Sequence, residues 1–156
     1  MSDPTAPGTT AEQHAEPPVV RLTDIRDEPL RVEEVLAALA DAAAGGLTLF
    51  VGTVRDHDHH RAVTGLEYSA HPTALRRLQE VAERVAREYD VLAVAAVHRT
   101  GRLEVGEAAV IVATAAGHRG EAFDASRALI DELKATVPIW KHQLFADGTD
   151  EWVGTP

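Results

Sequence analysis

From Val19 onward, short apolar runs alternate with amphipathic stretches, and the spacing of apolar positions switches between strand-like and helix-like. Val19–Leu22 predicts a first short strand. Asp27, Glu28 and Pro29 put acid and proline where a helix starts. Val32, Val35, Leu36, Leu39 and Ala43 then recur at three and four, so an amphipathic helix is predicted up to the stop at Gly45 and Gly46. Leu47–Val54, LTLFVGTV, is rich in β-formers with little polarity and predicts a strand covered on both faces. It ends at Arg55, the polar turn DHDHHRA follows, and Val63–Tyr68 returns as a strand. Pro72 opens a second helix with Leu75, Leu78, Ala82, Val85 and Tyr89 in one stripe. Glu80 with Arg84 and Glu83 with Arg87 form i,i+4 pairs on its wet side.

Val91–Val97 predicts a buried strand, followed by a polar, two-glycine turn, HRTGRLEVGE. Ala108–Ala116 is the most apolar strand. It runs into GHRG and a third helix over Glu121–Thr136, with Phe123, Ile130, Leu133 and Val137 as its apolar stripe. Pro138 forces Val137 into an extended conformation, IWKHQLF makes another strand, and DGTDEWV a turn and short terminal strand. Helices mixed with strands through short turns predict an α+β, two-layer domain with a mixed or antiparallel sheet and three main helices. Residues 1–18 are rich in Pro, Thr, Ala and acid without periodicity and predict a disordered tail, leaving 19–156 as a single domain.

Composition narrows the chemistry. A formal net charge of -10 disfavours nucleic acid and anionic membranes as partners, and an anionic ligand would need a local basic pocket. No apolar run approaches the roughly 20 residues of a membrane span, and no basic segment leads into an apolar one at the N-terminus, so the cytoplasm is the expected compartment. The chain has no cysteine, which excludes disulfides, thiolate metal sites and cysteine nucleophiles. Any sulfur it handles comes from outside.

Of fifteen Lys and Arg residues only two are lysines, and both, Lys134 and Lys141, lie within LKATVPIWK. An ammonium loses its proton when crowded or buried, whereas a guanidinium stays charged, so the clustering marks a place where a tunable amine is wanted. Lys134 falls roughly 20° from Phe123 on the helical wheel, which sets its stem along the buried edge of the third helix. Lys141 follows on a strand, on the face opposite Trp140 and His142. At the head of that helix, GHRG combines free N–H groups with His118 and Arg119 as a plausible anion cradle. Arg55, at a strand end, is a further candidate ligand contact. The adjacent His57, Asp58, His59 and His60 diverge too much for a metal site, and none is expected; no cofactor is implied. His98 and Arg99 fit either capping or pocket roles.

Taken together, FVGTVR (Phe50–Arg55), HRTGRL (His98–Leu103), HRGEAF (His118–Phe123), LKATVPIWK (Leu133–Lys141) and DGTDEWV (Asp147–Val153) resemble the large, catalytic subunit of molybdopterin synthase, over nearly all of Val19–Val153. The resemblance implies an α/β-hammerhead fold and a homodimer with a small ubiquitin-like sulfur-carrier subunit docked at each end. It implies sulfur transfer from the carrier's C-terminal Gly-Gly thiocarboxylate to cyclic pyranopterin monophosphate, which builds the dithiolene of molybdopterin. It also implies functional roles at Arg55, His118, Arg119, Lys134 and Lys141. Lys134 is expected as the main catalytic group, an acid/base or a transient covalent acceptor, with Lys141 tuning it. Arg55, His118 and Arg119 are expected to hold the substrate's phosphate. EYSAHP around Tyr68 departs from the family pattern. The chain also ends three residues after Val153, where some relatives continue with a basic tail whose role would be met otherwise. From a different class, a non-catalytic phosphate- or nucleotide-binding regulatory module would use the same basic pocket.

Overall fold

The two most apolar runs, Ala93–Arg99 (β5) and Ala108–Ala116 (β7), pair antiparallel in the middle of a four-stranded sheet, where both of their faces are covered. Val20–Arg26 (β1) flanks β5 in parallel, and Gly46–Thr53 (β2) flanks β7 antiparallel, giving the order β1-β5-β7-β2. The computed structural model describes residues 16–154; the part of the expected tail in residues 1–15, with His14, lies outside the described residues, as do residues 155–156.

One face of this sheet carries Ala74–Glu88 (α2) and Arg119–Thr136 (α3), whose Leu78, Val85, Leu129 and Leu133 pack on Val94, Val112 and Ala116. The short helix Val32–Ala38 (α1) covers part of the other face, Val35 and Leu39 meeting Val97, Ile111 and Ala113. Each fully buried leucine stabilises the fold by roughly 2 kcal/mol relative to exposure. A second, antiparallel sheet is built on the long strand Arg61–Ala70 (β4). His57–Asp58 (β3) and Gly101–Glu104 (β6) pair with β4, as does Ile139–Phe145 (β8), which in turn pairs with Asp150–Val153 (β9). Val54, Leu66, Leu103 and Ala109 join the sheets. The described residues therefore form an α+β fold with three helices and mixed and antiparallel sheets. No helix among the described residues is long and apolar enough to cross a membrane.

Several expectations are corrected. α1 stops at Ala38, short of Gly45, because Arg21 donates to the Ala38 and Ala40 carbonyls and pairs with Asp41, whose carboxylate caps the Ala43 N–H. β2 is an edge strand and is not covered on both faces: Leu47, Leu49 and Phe50 are exposed. On α3 the buried face is made of Ala122, Ala125, Ser126, Leu129 and Leu133, while Phe123 is 62% exposed. Small residues are needed there because the Thr114 hydroxyl reaches Ser126 Oγ and the Ala122 carbonyl, each at 2.8 Å. On α2, the ion pairs run from Arg77 to Glu80 and from Arg84 to Glu132 of α3, and neither of the expected pairs, Glu80–Arg84 or Glu83–Arg87, forms.

Candidate functional site

Lys134 stands in the last turn of α3 and Lys141 in the middle of β8, joined by the extended Val137–Pro138 link. That link turns the chain back so that both lysines line one cavity of about 260 Å³, with Tyr68, His98, Val110, Leu133, Val137, Ile139, Val153 and Gly154. Pairing of β4 with β8 sets Tyr68 directly opposite Lys141, and pairing of β8 with β9 sets Val153 on its other side. The wheel position of Lys134 relative to Phe123 does not explain this placement, because Phe123 faces solvent. Lys134 is itself exposed at the cavity mouth, next to buried Leu133.

The electrostatics are those of a crowded basic site. Burial is the main cause that lowers the Lys141 pKa below its ordinary value; Asp58 opposes it, and the charges of Lys134 and Arg55 add to it. Arg55, at the end of β2, borders a small adjoining recess together with Tyr68, Lys141 and Gln143. Gln143 Nε2 donates to Asp58 Oδ2 at 2.7 Å, and Arg55 lies 3.5 Å from the other carboxylate oxygen. The Gln143 hydrogen bond is the largest influence holding the Asp58 carboxyl below its usual pKa. Burial pushes the Tyr68 phenol up. His98, undecided from sequence, is buried at the end of β5, and burial pushes its imidazole down to about 4.

His118 and Arg119 are elsewhere. His118 is the extended N-cap of α3 and both side chains are exposed, with Lys134 fifteen helical steps on from Arg119, about 22 Å at the α-helical rise. Within one chain, then, Lys134, Lys141 and Arg55 come together and the His118–Arg119 turn stays apart. That turn lies against the start of β2, since a Cβ on Gly46 would stand 3.4 Å from Arg119 Cα. A larger concavity of about 930 Å³ runs over β2 and α3, lined by Leu49, Phe50, Phe123 and Ile130; it is mainly apolar and holds neither lysine. The His57–His60 stretch forms a tight hairpin with His59 and His60 at positive φ. Among the described residues no group of three His, Asp or Glu side chains is arranged to hold a metal ion.

The chain is similar to known proteins in sequence and in fold. The sequence model of the family described as MoaE protein matches residues 25–136. The chain is 46% identical over 138 residues to "Molybdopterin synthase catalytic subunit 1" of Mycobacterium tuberculosis, covering 88% of this chain and 91% of that protein. It is 33% identical over 132 residues to the "Molybdopterin synthase catalytic subunit" of Bacillus subtilis, covering 84% and 83%. The crystal structure of molybdopterin synthase from Staphylococcus aureus superimposes with a TM-score of 0.80 at 28% identity, over 85% of this chain and 97% of that one. A paired-lysine cavity, the MoaE match across most of the chain and a relative 46% identical over nearly its whole length lead to one assignment: this chain belongs to the MoaE family of molybdopterin synthase catalytic subunits.

Proposed function

We propose that this chain is the sulfur-transferring subunit of a molybdopterin synthase, a cytoplasmic homodimer. It takes sulfur from the thiocarboxylated Gly-Gly end of a small ubiquitin-like carrier subunit and delivers it to cyclic pyranopterin monophosphate. The observation that carries this reading is the convergence of the chain's two lysines in one cavity, in a protein with no sulfur nucleophile of its own. The name "Molybdopterin synthase catalytic subunit 1" describes that relative as one subunit of an enzyme, and a carrier tail is a partner suited to a narrow cavity. Lys134, at the mouth, moves the proton that sulfur transfer requires. Lys141, its pKa lowered by burial, adjusts that amine and holds the carrier carboxylate. Arg55 binds phosphate from the adjoining recess.

A dimer through β2 supplies what one chain lacks. Among the described residues no strand pairs with the outer edge of β2, which carries exposed Leu47, Leu49 and Phe50 beside exposed Phe123. Twofold antiparallel pairing of two such edges sets the Gly46 end of one strand against the Thr53–Arg55 end of the other. Because Arg119 adjoins Gly46, the partner subunit's His118 and the partner subunit's Arg119 would face Arg55 and complete the anion site.

The test is reconstitution from purified chain, thiocarboxylated carrier and cyclic precursor. Lys134→Ala is expected to abolish dithiolene formation while the protein remains folded, and full activity in that variant would refute the assignment. Lys134→Arg keeps the charge and loses the tunable amine, so it too is expected to be inactive. A regulatory phosphate-binding module would ignore the carrier altogether.

A further inference from the structure

Resting on the functional reading above, we propose that His98 is a positioning residue for Lys134, its Nε2 lone pair serving as the fixed acceptor for the Lys134 amine in the cavity. Three observations carry this. First, His98 Nδ1 lies 2.7 Å from the Arg99 carbonyl oxygen. A carbonyl can only accept, so Nδ1 bears the ring proton and Nε2 is left as a lone pair. Second, among the described residues Nε2 has no hydrogen-bond partner, yet Arg99 Nε is the only side-chain nitrogen or oxygen there that is both sealed from solvent and unpartnered. Nε2 therefore opens onto space, and the space that His98 lines is the cavity it shares with Lys134 and Lys141. Third, the ring is held. Tyr68 meets it edge-on, centroids 5.0 Å apart at 84°, and β5 buries the rest.

The groups facing His98 are Tyr68 from β4, Lys134 from α3 and Lys141 from β8. Two are lysine amines and the third is a phenol kept neutral by burial, so among the described residues that line the cavity no carboxylate stands ready to draw a proton onto the imidazole. The Lys134 charge lies close enough to reinforce burial in keeping the ring neutral. A neutral, tautomer-locked imidazole offers one acceptor at a fixed place. A lysine side chain with four rotatable bonds, exposed at a cavity mouth, needs such an acceptor if its amine is to dwell over the reacting atoms.

Having only two lysines makes the test direct, because lysine labelled at Nζ gives two resonances. In the full-length protein, His98→Phe keeps the ring's bulk and its contact with Tyr68 but removes the acceptor. The Lys134 resonance should move while that of Lys141 holds, and kcat for sulfur transfer should fall about tenfold or more with KM for the carrier unchanged. His98→Gln, which returns an acceptor near the Nε2 position, should restore most of both effects. The proposal is overturned if ring nitrogen spectra of the unaltered protein show the proton on Nε2, or if folded His98→Phe leaves the Lys134 resonance and kcat as they were. Failure of the unaltered protein to transfer sulfur at all would instead sink the functional reading, and the lysine resonances would still report on His98.

Discussion

His98 is also the residue at which pH bears most plainly on stability. Its ring titrates near 4 in the folded chain and near 6.5 when unfolded, so between these values the unfolded state binds more protons and folding weakens as pH falls. Above 6.5 the ring is neutral in both states and contributes nothing. The loss across that window amounts to about 3 kcal/mol at most. Urea unfolding followed from pH 7 to pH 4 should therefore show a steeper loss of stability for the unaltered protein than for His98→Phe, and equal slopes would contradict this burial. The importance of the residue was only half legible in the sequence. HRTGRL stood out as a motif, but whether its histidine capped a turn or lined a cavity depended on β5 running two residues beyond Val97, with β4 laying Tyr68 beside it. The two lysines were legible as a pair because they are rare; that they share a cavity follows from the reversal at Pro138 and the registration of β8 on β4.

Among the elements, β5 and β7 matched expectation, since burial on both faces follows from composition alone, and α2 matched in Leu78, Ala82 and Val85 while Leu75 of its expected stripe is exposed. The misread ones are settled by distant partners. α1 is ended by Arg21 from β1, and β6 hides in a polar glycine turn because β4 offers it an edge. Phe123 faces outward because α3 lies too close to β7 for an aromatic ring. One close approach gives a sharp expectation. A Cβ on Gly45 would stand 2.2 Å from the Gly117 carbonyl oxygen, where the start of β2 presses on the turn leading into α3. Gly45→Ala should cost about 1–3 kcal/mol, read as a lower urea midpoint at unchanged slope. Gly117→Ala, which meets nothing within 4 Å, is the control and should be near neutral; equal stability of the two variants would mean that the approach is not tight.

At the scale of the molecule, the separation of Arg119 from Lys134 along α3 is the decisive fact, for it makes a lone chain an incomplete site under the dimeric reading. Subunit mixing tests this without a structure. Arg119→Ala and Lys134→Ala proteins should each be nearly inactive, yet a mixed dimer retains one site with neither change. Random re-association of equal amounts should then recover about a quarter of unaltered activity. No recovery on mixing would place both residues in the same chain's site, or Arg119 in none. The exposed apolar residues of β2 are consistent with this arrangement, since an uncovered edge strand is a liability that a partner's edge removes.

The preference for arginine has a consequence beyond the cavity. Outside LKATVPIWK no side chain carries a primary amine, because every other basic position uses guanidinium. An activated carboxyl terminus that acylates whichever amine it first encounters would find almost no stray target on this exterior. Under the function proposed above, this composition would spare the exterior random decoration by the carrier's terminus and would leave the two cavity lysines as nearly the whole inventory of side-chain amines.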